Sequence, residues 1–183
     1  MSSTLDNNNA VARKIASQVY SIGQWKGGHC HAFLIEDADG LILIDTLFDS
    51  DGGPVLKALE SIGRKPNELK HVILTHAHRS HLGGVAALKK LSGARVWCHE
   101  WEADIIAGER KAQPCSIIPR RPLAAYPVQF GLALGLMPHM PCDVDSFLRT
   151  GDKIGPLEVM HAPGHSPGHL AFYWKERSVL FAG

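Results

Sequence analysis

The segment Thr75-His76-Ala77-His78-Arg79-Ser80-His81 puts three imidazoles within six residues, between an apolar run and the pair Gly83-Gly84. A neutral imidazole offers one ring-nitrogen lone pair, and zinc takes such a ligand at about 2.0–2.1 Å. Histidines this close repel one another once protonated, so shared coordination of a cation is the chemistry that suits them. A second segment, Ala162-Pro163-Gly164-His165-Ser166-Pro167-Gly168-His169, is rich in residues that fix a bend and delivers a further imidazole. Nitrogen ligands from His76, His78 and His165 would leave a fourth position open to water, the arrangement of a catalytic rather than a structural zinc.

Such ligands need elements that aim them. His71 to Thr75 reads as a buried strand running straight into the first cluster, and Gly83-Gly84 opens a helix through Leu91. Upstream, Ile15 to Ser21 and Cys30 to Glu36 read as strands. Ala38-Asp39-Gly40 is a tight turn, and Leu41 to Ile44 is a short apolar strand with Asp45 at its exit. Pro54 begins an amphipathic helix stopped by Gly63. Ala94 to Cys98 reads as a strand, Glu100 to Gly108 as a helix, and Leu157 to His161, His169 to Trp174 and Val179 to Ala182 as strands. Alternation of this kind predicts an α/β layered fold. Between Gly108 and Arg149 the pattern dissolves into an apolar, proline-interrupted stretch, read as a loop or helical insertion shaping the substrate site, or as helices packing on the core.

These motifs, in this order, resemble the metallo-β-lactamase superfamily over nearly the whole chain, from Ile15 to Gly183. His76, His78 and His81 match the family's His-x-His-x-Asp-His, and Pro163 to His169 match its Pro-Gly-His-(Ser/Thr)-Pro-Gly-His. Leu43-Ile44-Asp45-Thr46 is similar to its Leu-Ile-Asp-Thr-Gly, with Leu47 where glycine is usual. The resemblance implies an αββα sandwich with the metal site along one edge of the sheets. In that scheme His76, His78 and His165 bind a first metal and His81 helps to hold a second. Asp45 either orients a ligand through a hydrogen bond or caps its strand.

Two departures qualify what the resemblance implies. Ser80 stands where the family carries the aspartate that binds the second metal, and a neutral hydroxyl is a poor zinc ligand. Phe181-Ala182-Gly183 matches the run just before a bridging aspartate, and the residues that would complete the second half do not follow. The expectation is a truncated, poorly soluble chain with its second half incomplete: a flexible stretch at 1–14, then one domain over 15–183. One zinc ion, or another divalent metal, is expected per chain.

Composition bounds the function from outside. The 183 residues suit one domain, and 45% apolar with 20% charged residues is ordinary for a globular protein. A formal net charge of +1 argues against a nucleic-acid partner, and Arg110, Lys111, Arg120 and Arg121 read as a solvated loop. No apolar run approaches the roughly 20 residues of a membrane span, and 1–9 lack a signal-peptide pattern, so a cytoplasmic location is expected. Cys30, Cys98, Cys115 and Cys142 lack Cys-x-x-Cys spacing and read as buried free thiols.

Among the remaining histidines, His29 and His31 could line the pocket or face solvent from a strand, and His161 and His169 read as structural. The function class expected is a metal-dependent hydrolase of a small-molecule substrate, in which a water activated by the metal attacks an ester, thioester, lactone or lactam carbonyl. A phosphodiesterase or nuclease of the same fold, or a metal-binding protein impaired by Ser80 and the missing aspartate, are the alternatives. The oligomeric state is left open.

Overall fold

A computed structural model describes residues 12–24, 29–111, 131 and 139–183. Strands β1 (Arg13–Ala16), β2 (Val19–Gln24), β3 (Cys30–Asp37), β4 (Gly40–Ile44), β5 (Leu69–Ile73), β6 (Arg95–Cys98) and β7 (Ser146–Phe147) lie side by side in that order as one seven-stranded sheet. The first four are joined antiparallel, and β4 to β7 run parallel. A second, antiparallel sheet has the order β11 (Val179–Phe181), β10 (Leu170–Trp174), β9 (Leu157–His161), β8 (Lys153–Ile154).

Helices α1 (Gly53–Ser61), α2 (Arg79–Leu82), α3 (Val85–Ser92) and α4 (Glu100–Ile106) connect strands of the first sheet. Strand alternation sorts the core into two layers. Leu41 and Leu43 of β4 join Val55, Leu59, Val85, Leu88 and Ile106 on the helical side. Ile42 and Ile44, on the opposite face of the same strand, join Leu157, Val159, Leu170, Phe172 and Trp174 between the sheets. Both faces of β4 are therefore buried, which is why its sequence is apolar without alternation.

The sequence reading holds for β3, β4, the turn between them, and α1, α3 and α4. It differs in four places. Ile15–Ser21 is not one strand: Gln18, at φ 66°, turns the chain, and β1 pairs back on β2. The first strand begins at Arg13, inside the stretch read as flexible; of that stretch, residues 1–11 lie outside the described residues. β5 starts at Leu69 and ends at Ile73, two residues ahead of the expected span, so Thr75 belongs to the loop. The two-residue strands β7 and β8 and the single-turn α2 are too short to leave a period in the sequence. Of the 108–149 stretch, 112–130 and 132–138 lie outside the described residues, as does Cys115; Cys30, Cys98 and Cys142 are buried free thiols. Among the described residues no helix is long and apolar enough to cross a membrane.

Candidate metal centre

Parallel strands deliver their successors to one edge of the sheet, and the site lies there. Asp45 follows β4, Thr75 to His81 follow β5, and His99 to Glu102 follow β6. From the other sheet the loop 162–168 reaches the same edge, tied down where the Leu170 N–H donates to the Thr75 carbonyl at 2.8 Å.

The ligand nitrogens of His76, His78 and His165 all lie within 4.8 Å of one another. The ring centroids are 4.6 Å apart for His76 and His78, and 4.7 Å for each of the other two pairs. Nδ1 of His78 and Nε2 of His165 approach to 2.9 Å. His76 is buried, His78 intermediate and His165 exposed, so the cluster has a closed floor and an open rim.

The proton arrangement at His76 follows from its neighbours. The Thr75 hydroxyl donates to Asp45 Oδ2 at 2.8 Å, so its oxygen accepts from Nδ1–H of His76, 2.9 Å away. That fixes the tautomer and leaves a lone pair on Nε2, a buried atom with no hydrogen-bond partner. Burial first, and then the rings of His81, His78, His165 and His169, push the His76 imidazole far below its ordinary 6.5 and keep it neutral. A buried, unpartnered, neutral imidazole nitrogen facing two further imidazoles fits a cation ligand.

Two carboxylates support the cluster from inside. Asp45, 1% exposed, accepts from the Thr75 N–H at Oδ1 and from the Thr75 hydroxyl at Oδ2, and its Oδ2 lies 2.8 Å from Nδ1 of His81. It does more than cap its strand: it orients His81 directly and His76 through Thr75. Glu102, also 1% exposed, accepts from the Ala77 N–H, the Ser166 hydroxyl and the Gly168 N–H. Among the described residues no Lys or Arg pairs with either carboxylate, and each is held instead by three hydrogen bonds.

His81 lies against His76, with centroids 4.3 Å apart, but falls outside the three-nitrogen group. Ser80 sits half-buried on α2. That helix is pressed onto the loop after β4: a Cβ on Gly83 would meet the Phe48 carbonyl oxygen at 2.2 Å, so only glycine permits the approach. His169 holds the base of its loop through Nδ1 and the Ala162 carbonyl at 3.2 Å, and His161 bonds the Pro167 carbonyl. His31 is bonded to Ser21 and stacks on Phe33. Glu102 was missed by the sequence reading. Its signal is a carboxylate at the core-facing position of α4, one helical turn before Ile105 and Ile106, all three buried.

The sequence profile of the metallo-beta-lactamase superfamily matches residues 25–183. The chain belongs to that superfamily. A hydroxyacylglutathione hydrolase from Cereibacter sphaeroides is 32% identical over 153 residues, 84% of this chain and 46% of the relative. The probable metallo-hydrolase YybB of Bacillus subtilis is 27% identical over 153 residues, 84% of this chain and 60% of that protein. The chain thus spans about half the length of the curated relatives it matches. Among solved structures, the metallo-beta-lactamase SMB-1 superposes with a TM-score of 0.69 at 21% identity, covering 96% of this chain and 65% of that one. BJP-1, a subclass B3 metallo-beta-lactamase of Bradyrhizobium japonicum, gives 0.67 at 23%, covering 92% and 58%. These likenesses establish the metallo-beta-lactamase fold.

Proposed function

We propose that the chain is a metal-dependent hydrolase acting on a small molecule with an ester, thioester, lactone or lactam carbonyl, using one divalent cation, zinc in first place, held by His76, His78 and His165. The observation that carries the reading is the unpartnered, buried Nε2 of His76 beside the other two imidazoles. A cation bound there would acidify water and polarise the scissile carbonyl. Asp45 and Thr75 hold His76 in the tautomer that leaves Nε2 free to bind. The exposed side of the cluster at His165 is where a substrate could enter. A second cation would need a charged partner beside His81, and Ser80 offers a neutral hydroxyl. In a one-cation centre His81 instead keeps its Nδ1–H on Asp45 and its Nε2 as a proton acceptor for water.

The hydroxyacylglutathione hydrolase relative favours a carbonyl substrate. A net charge of +1 gives no electrostatic support to a nucleic-acid substrate. The test is a panel of chromogenic esters, thioesters, lactones, β-lactams and phosphodiesters, run with and without chelator, beside elemental analysis. Hydrolysis of a carbonyl substrate that chelation removes is expected, with about one metal per chain. His76→Ala should lose both metal and turnover, whereas His81→Asn should keep the metal and lose turnover. Turnover surviving exhaustive chelation, or a stoichiometry near two, would overturn the reading.

A further inference from the structure

The two turns that present the imidazoles come from different sheets, and something must set the gap between them. We infer that Glu102 is a positioning residue that fixes this gap and thereby sets the affinity for the cation; the inference rests on the metal reading above. Its carboxylate is shared between the turns. Oε2 accepts from the N–H of Ala77, the residue between His76 and His78, at 3.0 Å. Oε1 accepts from the hydroxyl of Ser166, next to His165, at 2.8 Å, and from the N–H of Gly168 at 2.9 Å.

One rigid, planar group therefore holds both ligand-bearing turns. It sits on α4, a helix anchored in the core by Ile105 and Ile106. The fit is close: a Cβ on Gly168 would meet Glu102 Oε1 at 2.6 Å, so the second turn reaches the carboxylate only because residue 168 is glycine. All three donors are neutral, and the Glu102 charge stays local to the ligand turns. It favours a cation there twice, by preorganising the nitrogens and by its own field.

Glutamine keeps the shape of Glu102 but removes the charge, and whichever way its amide turns, the N–H₂ faces at least one donor that needs an acceptor. Zinc affinity is measured by competition with a chromogenic chelator, well below the melting temperature of every variant. Glu102→Gln should bind about ten- to hundredfold more weakly. The visible bands of the cobalt-substituted protein should also shift, a signature that a merely structural role would leave in place. Ser166→Ala, which removes one donor and leaves the carboxylate, should weaken binding by about two- to tenfold. The double variant should bind no more weakly than Glu102→Gln alone, because both act through one carboxylate.

Affinity within twofold of the parent and an unshifted cobalt spectrum in Glu102→Gln would overturn the inference. If that variant does not fold, unchanged affinity and spectrum in Ser166→Ala overturn it instead. A parent that binds no zinc, or binds it equally well after His165→Ala, removes the metal reading as well. A parent that needs His165 while Glu102→Gln binds normally removes only the role of Glu102.

Discussion

Leu47 holds a backbone conformation that suits glycine: its φ is 63°, in the left-handed region, while its side chain is 0% exposed in the helical-side core. Two residues earlier Asp45 does the same at φ 60°, which a short polar side chain tolerates better than a leucine. The turn aims the Asp45 carboxylate at Thr75 and His81, so the strain lies beneath the site. Leu47→Gly would relieve about 1–2 kcal/mol of strain but lose a buried side chain worth about 2–5 kcal/mol. The expected outcome is a net loss of stability of about 1–3 kcal/mol by denaturant unfolding; equal or higher stability would mean that strain outweighs packing here. At this scale the sequence was informative where residue type and spacing were unusual, as at His76, His78 and His165. Thr75 carried no such mark and Glu102 only its core-facing place on α4, because their roles depend on partners 30 and 64 residues away in the chain.

At the scale of elements, long periodic segments were legible and short ones were not. The apolar run of β4 and the cap-to-cap pattern of α1 and α3 carry their own signals, whereas β7 and β8 exist only because a neighbouring strand pairs with them. Between β5 and β6 one pair shows how an element boundary becomes pH-dependent. The Trp97 indole N–H donates to Nδ1 of His71 at 3.1 Å, which requires that nitrogen to be unprotonated. Burial first, then the Arg95 guanidinium, lowers the His71 pKa from 6.5. A lowered histidine pKa contributes stability that is present above 6.5 and is lost as pH falls below it, since the unfolded chain then binds the proton more readily. An NMR titration of the His71 ring should give a value below 6.5, and His71→Gln should flatten the fall in melting temperature on the acid side. A midpoint at or above 6.5 would refute this account.

For the molecule as a whole, the inter-sheet layer joins the sheet that carries the loop 162–168 to the sheet that carries Thr75 to His81. Phe172 is the largest fully buried side chain there, packed with Ile42, Ile44, Val159 and Leu170. Phe172→Ala should cost about 3–5 kcal/mol, enough to threaten folding, as read from the midpoint of urea unfolding; a loss under about 1 kcal/mol would show that the sheets do not depend on it. The layered class of fold was legible in the alternation of strands and helices, but the split of β4's residues between two cores is a property of register that spacing alone does not display. The placement of the chemistry has one further consequence. Asp45, the His76–His81 run, Glu102 and His165 all stand beyond strand ends, whereas the inter-sheet layer is built from strand residues such as Ile42, Ile44, Val159 and Phe172. Scaffold and reactivity are therefore separable, so a lineage can exchange one substrate for another by rewriting what borders the rim at His165 while the interior is inherited unchanged.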